Sequence, residues 1–471
     1  MTKRGVTAAQ ARPRLSVIAL TRDRPKEFRS LLQALALQRM TDFEVIVVGA
    51  KPTVEDHGAP PGLARRITYA QCRAQNISRS RNIGLALATG DIVAFTDDDA
   101  APEPGWLEAI EDAFHADDIG AVGGYVRGRN GVDFQWRGVL VDRYGGHAPA
   151  TPERIAAMEI DEATEFFPTT VGVNSAFSRK ALTEIDGFDD NFHYFLDESD
   201  VCLRLQMAGW RVLLAPKAEV HHAYAASAMR HPNRAPRDLF QIAASRAYFS
   251  RRYGRADWIE RKIEDFAADQ TARLTKFVQL GRLSRRQARE IAERMAEGLI
   301  EGERRFETGP ALGRGGDPER MTRAADRFRP EGAERRPRVA LAVGGLARRG
   351  VARAARRLAE RGCEVTVIDF ELGAKRLKVW FEDGIWRHMG GVLGRDRFGD
   401  ALPAPRRHLR VQRELARIAD QRDFDVILRP ASLRYRIGDL RPVRLQGSLR
   451  GFVAEPMRSG GARAVVEMLA R

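Results

Sequence analysis

Between residues 15 and 126 the apolar positions fall into two alternating patterns. Short β-branched runs predict buried strands at residues 15–20, 43–48, 91–96 and 120–126. Between them, Pro25 opens a stretch in which Phe28, Leu31, Leu32 and Leu35 recur at helical spacing. Residues 80–87 read as a helix stopped near Gly90, and residues 106–114 as another after Pro102 and Pro104. This alternation predicts a mostly parallel sheet with helices on both faces, an α/β fold. Such sheets bind ligands beyond the carboxyl ends of their strands. Asp97, Asp98 and Asp99 sit at such an end.

Further along, the pattern predicts a strand near residues 171–177, a helix over 198–209 and a last strand over 212–214, leading to His221 and His222. Residues 128–165 show no legible period and read as an insertion. From 236 to 308 the pattern is helical, basic and polar, and residues 309–336, rich in Gly, Pro and charge, read as a linker. A second strand–helix unit follows. It has strands at 339–343, 364–370 and 423–428, a turn at Gly344-Gly345, and helices at 350–360 and 409–419. The expected domains are 1–235, a helical extension 236–308, a linker 309–336, and an α/β domain 337–471.

Composition narrows the class. Of 471 residues, 44% are apolar, enough for a sizeable core and too many for a disordered chain. No run of 18 apolar residues and no signal-peptide core is present, so neither a membrane span nor secretion is expected. Cys72, Cys202 and Cys363 lie far apart with no CxxC pair, which excludes a disulfide framework and fits a reducing cytoplasm. Net charge is −3 over residues 1–250 and +18 over residues 251–471. That excess suits an anionic surface, such as the inner face of a membrane, or a solvated exterior. Nucleic acid is not expected as a partner, because the basic part lacks a recognition motif and aromatic–basic interleaving.

Three adjacent aspartates repel one another unless a proton or a cation intervenes. Carboxylates at a strand end suit Mg2+ or Mn2+, which pair them with substrate phosphates. A solvated acidic loop is the alternative. A second acidic cluster, Asp197-Glu198-Ser199-Asp200, opens a helix, where carboxylates either cap the dipole or serve as a general base. His221 or His222 can add an imidazole ligand.

Taken in order, these segments resemble a family 2 glycosyltransferase with the GT-A fold over residues 14–227. Residues 15–22 (LSVIALTR) resemble its opening strand and residues 76–84 (NISRSRNIG) its "ARNxG" helix start. Residues 90–99 (GDIVAFTDDD) resemble its metal-binding DXD strand. Residues 173–182 with Gly187-Phe188-Asp189 match the acceptor-side segment. Residues 197–204 (DESDVCLR) match the "ED" helix, and Val220-His221-His222 the closing histidine. The resemblance implies an inverting transferase that uses Mg2+ or Mn2+ and a nucleotide-sugar donor. The implied acceptor is a glycan or a lipid-linked sugar, in surface polysaccharide synthesis. Asp97 and Asp99, with His222 or His221, would hold the metal. Thr21, Arg22, Arg79, Arg81, Asp97 and Asp98 would face the nucleotide. Glu198 or Asp197 would take the acceptor proton, although the family's Glu-Asp order is reversed here.

Two features depart from that pattern. After the second strand the family carries an acid that reads the base, whereas this chain reads Val48-Gly49-Ala50-Lys51, leaving Asp97, Glu55 or Asp56 for that contact. A catalytically inactive nucleotide-binding scaffold is therefore the second reading. Residues 338–345, 350–361, 362–369 and 422–427 are similar to the N-terminal half of a family 4, GT-B glycosyltransferase. With no donor half after them, they are expected to form a truncated, non-catalytic Rossmann-like domain.

Overall fold

The computed structural model describes residues 15–50, 59–161, 163–225, 229–313, 318–322, 336–344, 348–370, 378–389, 418, 422, 424–430, 443–444 and 452–456. Two compact units emerge, one of residues 1–126 and 134–331, the other of residues 127–133 and 332–471.

The first unit opens with β1 (Leu15–Thr21), α1 (Pro25–Ala36), β2 (Phe43–Gly49), α2 (Pro61–Ala64), β3 (Ile67–Gln71), α3 (Ile77–Leu87) and β4 (Ile92–Asp97). It continues through β5 (Ala100–Pro102), α4 (Trp106–Ala113), β6 (Ile119–Arg127), β7 (Phe134–Trp136), β8 (Val139–Asp142), β9 (His147–Pro149), α5 (Pro152–Ala156) and β10 (Phe166–Thr169). Then come β11 (Ser175–Ser178), α6 (Arg179–Glu184), α7 (Asp197–Met207), β12 (Arg211–His222), α8 (Phe240–Tyr253), α9 (Ala256–Gln279), α10 (Arg285–Thr308) and β13 (Met321–Thr322).

The main sheet runs β13-β3-β2-β1-β4-β11-β6-β12-β5. Strands β3, β2, β1 and β4 are parallel, and β11 inserts antiparallel between β4 and β6. Side chains alternate across this sheet and both faces are buried, which explains the near-continuous apolar runs. On one face Val17, Val45 and Ala94 pack with Phe28 and Leu32 of α1 and Trp106 of α4. On the other, Ile18, Ile46 and Phe95 pack with Ile83 of α3 and Cys202 and Leu205 of α7. Gly84 allows the closest of these contacts, since a Cβ there would lie 2.6 Å from Ile18 Cγ2. Asn174 ties the strands behind the site together. It accepts from buried Trp106 Nε1 at 2.8 Å and donates to the Tyr125 and Ala218 carbonyls at 2.9 Å each.

The residues without a legible period become β7, β8, β9 and α5, and β10, just after them, completes a small antiparallel sheet ordered β10-β8-β9. The last predicted strand is much longer than residues 212–214, since β12 runs to His222. Strands β3 and β5 were not anticipated. The 236–308 extension forms α8, α9 and α10, the last opened by a Ser284–Gln287 capping box. Part of the expected 309–336 linker is built into this unit. Met321 and Thr322 pair with Ala70 and Tyr69, and the Glu319 amide donates to the Gln71 carbonyl at 3.1 Å.

The second unit holds β14 (Arg338–Gly344), α11 (Arg348–Glu360), β15 (Glu364–Phe370), β16 (Lys378–Glu382), β17 (Ile385–Met389), β18 (Val426–Pro430), β19 (Val443–Arg444) and β20 (Phe452–Pro456). Its sheet runs β16-β17-β15-β14-β18-β20-β19, with β17, β15, β14 and β18 parallel. The three predicted strands and the 350–360 helix are present. The β16–β17 hairpin was missed, although Asp383-Gly384, both at positive φ, is a strong hairpin signal. Gly345 and most of the 409–419 helix lie outside the described residues.

Candidate active site

The acidic triplet turns sharply between β4 and β5, and its three carboxylates have different surroundings. Asp98 is fully buried. It accepts from Thr21 Oγ1 at 2.9 Å and Arg24 Nε at 3.2 Å, and pairs with the same guanidinium. Burial raises its pKa to about 7, against the pull of Arg24. Asp99 is also buried. There Oδ2 accepts the Ala225 N–H at 2.8 Å and meets Arg24 Nη1 at 3.1 Å, while Oδ1 lies 3.4 Å from His222 Nε2. Burial opposes its charge, but His222, Arg24 and the Ala225 amide outweigh burial and hold it at about 2. Burial, then the neighbouring Asp99, pushes the Asp97 carboxyl up.

Ligand atoms of Asp97, Asp99 and His222 all lie within 4.8 Å of one another. His222 Nδ1 lies 2.9 Å from Gln135 Oε1, which turns the Nε2 edge of the ring toward the carboxylates. The Tyr224 ring stacks on the imidazole at 4.3 Å. Two carboxylates and one imidazole form a donor set that suits a hard divalent cation, and the crowding of Asp97 against Asp99 favours one.

His221 does not join this group. Successive side chains of β12 point to opposite faces, and His221 Nε2 sits 2.7 Å from Glu103 Oε1 instead.

The second acidic cluster begins α7. Phe195 and Leu196 precede it at φ 74° and 66°, a left-handed pair that bends the chain into the helix. Asp197 pairs with Arg81, each side chain 2% exposed. Glu198 is 19% exposed, its Oε1 accepting the Gly172 N–H at 3.1 Å and its Oε2 3.6 Å from Arg81 Nη1. Asp200 is buried with Arg204 at 2.7 Å and the Tyr253 hydroxyl at 2.5 Å.

The residues expected to face the nucleotide divide. Thr21 and Asp98 meet at the end of β1. Arg22 braces the neighbouring loop, donating to the Ala74 carbonyl at 2.7 Å. Arg79 is exposed on α3, away from the cluster of contacts described above. Arg81 is buried against the Phe188 and Phe95 rings, with its guanidinium engaged by Asp197. Glu55 and Asp56 lie outside the described residues. Arg24 and Gln135 were missed. Arg24 stands just beyond a strand end, where a lone arginine reads as solvated, and Gln135 lies in the stretch without a period. No helix among the described residues is long and apolar enough to cross a membrane.

The sequence model of the family described as "Glycosyltransferase like family 2" matches residues 8–243, half of the chain. The chain is 32% identical over 167 residues to the glucosyl-dolichyl phosphate glucuronosyltransferase of Haloferax volcanii, a stretch covering 32% of this chain and 49% of that protein. It is 27% identical over 229 residues to the O-antigen biosynthesis protein RfbC of Myxococcus xanthus, covering 46% of this chain and 18% of that one. The chain thus spans half or less of the length of these relatives. Among solved structures, the mannosyltransferase PcManGT of Pyrobaculum calidifontis, in complex with GDP-Man and Mn2+, matches at 21% identity. That match has a TM-score of 0.36 and covers 65% of this chain and 91% of that one. By the family match, this chain belongs to the glycosyltransferase family 2-like proteins.

Proposed function

We propose that the protein is a metal-dependent, inverting glycosyltransferase that moves a sugar from a nucleotide-sugar donor to a glycan or lipid-linked acceptor in surface polysaccharide synthesis. The observation that carries this reading is the convergence of Asp97, Asp99 and His222 within 4.8 Å. Mg2+ or Mn2+ bound there would act as a Lewis acid on the donor diphosphate. The Ala225 amide and Arg24 orient Asp99, and Gln135 orients the His222 ring. Glu198 is the general base. Gly172 holds one of its oxygens, and the carboxylate receives the proton of the acceptor hydroxyl as that oxygen attacks the anomeric carbon. Attack opposite the departing diphosphate inverts that carbon. Asp197, neutralised by Arg81, holds the start of α7 in place and leaves Glu198 as the accessible acid. In the second unit, the parallel order β17-β15-β14-β18 supports a Rossmann-like domain related to the acceptor half of GT-B enzymes. Its basic half suits peripheral contact with an anionic membrane face.

The test is a screen of nucleotide sugars with and without Mn2+, reading released nucleoside diphosphate. Metal-dependent release with one donor, lost in Asp99→Ala, supports the reading and names the donor. No release, together with no metal-dependent nucleotide binding by calorimetry, favours the inactive scaffold.

A further inference from the structure

We infer that the tip of the α9–α10 hairpin is the protein's landing point on an anionic lipid bilayer, with Leu280 entering the headgroup layer and the surrounding arginines meeting lipid phosphates. The inference rests on the transferase reading with a lipid-linked acceptor, and it gives that reading a membrane-facing surface in the first unit.

Charge is sorted along this hairpin rather than mixed. The first part of α9 carries Asp257, Glu260, Glu264, Asp265 and Asp269 against Arg261 and Lys262. From residue 270 to residue 289 no acid occurs, and Arg273, Lys276, Arg282, Arg285, Arg286 and Arg289 are all exposed. Arg286 pairs with Glu290 at 2.8 Å, whereas the other five form no ion pair among the described residues. Arg285 and Arg286 open α10, whose first turn holds no acid. A helix N-terminus is itself positive, and stability alone would place acids there. These arginines therefore repel the helix end they sit on, a strain that an anionic surface outside the protein removes.

The apex between the helices is fixed. Gly281, at φ 65°, closes α9, and the Arg282 and Leu283 amides both return to the Phe277 carbonyl, at 2.9 and 3.3 Å. Leu283 is buried in the hairpin's own core, but Leu280 is 55% exposed. An exposed leucine ringed by cations matches a bilayer surface: the apolar chain enters the boundary between headgroups and acyl chains while the bases stay with the phosphates. A nucleic acid would meet the same charge but offers Leu280 no apolar layer.

Contacts link this tip to the metal group. The tight turn over residues 230–236 is closed by a bridge between Arg230 and Pro236. At its end Asn233 Nδ2 donates to the Arg282 carbonyl at 3.1 Å. The next residue, Arg234, holds its guanidinium 4.7 Å from the centroid of the Tyr224 ring, which stacks on His222. Residues 229–237 contain Arg230, Arg234 and Arg237 and no acid, so the basic surface continues from the hairpin toward the metal ligands. A bilayer that receives the tip thus lies against the turn bordering the site, where a lipid-linked acceptor would enter.

The full chain is mixed with vesicles of phosphatidylcholine alone and with vesicles that also contain phosphatidylglycerol, and binding is read by co-sedimentation. Only the anionic vesicles should carry the protein down, and salt should weaken the binding. When Arg282→Gln, Arg285→Gln and Arg289→Gln are combined, each lost charge should weaken binding by about fivefold. Arg353→Gln, Arg356→Gln and Arg357→Gln on α11, which remove the same charge from the exposed face of a second-unit helix, should weaken it far less. Leu280→Ser should weaken binding most visibly at high salt, where the arginines are screened. The arginine variants should melt at or above the wild-type temperature, because these bases oppose the α10 dipole, so their loss of binding is not a loss of fold. If neither vesicle binds, or if the tip and α11 variants lose binding equally, the inference is overturned. Binding to single-stranded RNA in place of anionic vesicles would overturn it too, by making the partner a nucleic acid. The donor screen reads the transferase separately. Tip variants should release nucleoside diphosphate from soluble donor at the wild-type rate, and an inactive chain that still binds anionic vesicles fails the transferase reading alone.

Discussion

Arg81 and Asp197 pair across α3 and α7 with each side chain 2% exposed, while the adjacent Glu198 keeps 19% of its side chain open. Neighbouring acids in one helical turn thus have different physical positions. Removing one partner of a buried pair strands a charge, at roughly 3–5 kcal/mol. Asp197→Asn should therefore lower the melting temperature sharply, and Arg81→Met should do the same. Glu198→Gln removes a proton acceptor and leaves the pair intact, so turnover should fall by about 10²–10⁴-fold at a nearly unchanged melting temperature. Thermal melts beside donor turnover separate the two. A Glu198→Gln enzyme at full rate would refute the assignment of the base.

The metal reading makes its own demands on the two histidines. His222→Ala and Asp99→Ala should each abolish Mn2+-dependent nucleotide binding. His221→Ala should leave it in place, because His221 faces Glu103 instead. Gln135→Leu should raise the Mn2+ concentration needed by about 10–100-fold, since an outer hydrogen bond orients the ligand ring. Calorimetric titration of Mn2+ in the presence of nucleoside diphosphate measures all four. Equal losses in His221→Ala and His222→Ala would contradict the parity of β12.

What the sequence made legible follows from burial. The runs of β1, β2 and β4 are apolar on both faces, because Val17 and Ile18, or Val45 and Ile46, serve opposite cores. Strand β3, whose Thr68 and Gln71 interrupt the run, and the three-residue β5 carry no such signal. Strands β7 to β10 have three or four residues each, too few to display a period, so Gln135 was invisible until the chain folded. The acid clusters were legible as types but not as roles. Only the packing of Arg81 distinguishes Asp197 from Glu198. The histidine ambiguity has a similar cause: a strand read over residues 212–214 sets no parity at 221 and 222, whereas β12, followed to its end, does.

The pH dependence of stability should show a histidine outside the active site. Burial, with Arg305 alongside, lowers the His193 pKa to about 4 from 6.5, against the pull of Glu301. Arg305 Nη2 lies 3.4 Å from His193 Nδ1, so the neutral ring accepts and a protonated one cannot. Between pH 6.5 and 4 the unfolded chain binds the extra proton and the folded chain does not. This contribution is complete above pH 6.5 and is lost as pH falls toward 4. Glu301, held down at about 2 chiefly by its bond from Arg304, adds a loss only below its unfolded value of 4.5. The slope between pH 6.5 and 4.5 should therefore flatten in His193→Gln. Urea midpoints across that range measure it, and an unchanged slope would reject the assignment.

The helical extension offers a packing test. α10 lies backbone-to-backbone on α8 because Gly298 and Gly302 recur on one face of the helix. A Cβ at Gly298 would lie 2.2 Å from the Phe240 carbonyl oxygen, and one at Gly302 would lie 2.5 Å from that of Ala244. Neither neighbour is a flexible side-chain end, so the helices must separate to admit even a methyl group. Overpacking of this kind costs roughly 1–3 kcal/mol. Gly302→Ala should lower the melting temperature, and Gly298→Ala should do likewise. Gly62→Ala, which meets nothing within 4 Å in α2, should be neutral or slightly stabilising. The effect should also reach the site. α8 supplies the Tyr248 hydroxyl and Arg252 Nη1, each 2.6 Å from Asp189 Oδ2, and Tyr253, whose hydroxyl holds Asp200. Separating α10 from α8 loosens the platform under α7, so turnover should fall in the glycine variants even at temperatures where they remain folded. Full turnover with a lowered melting temperature would show that the extension stabilises the first unit without positioning α7.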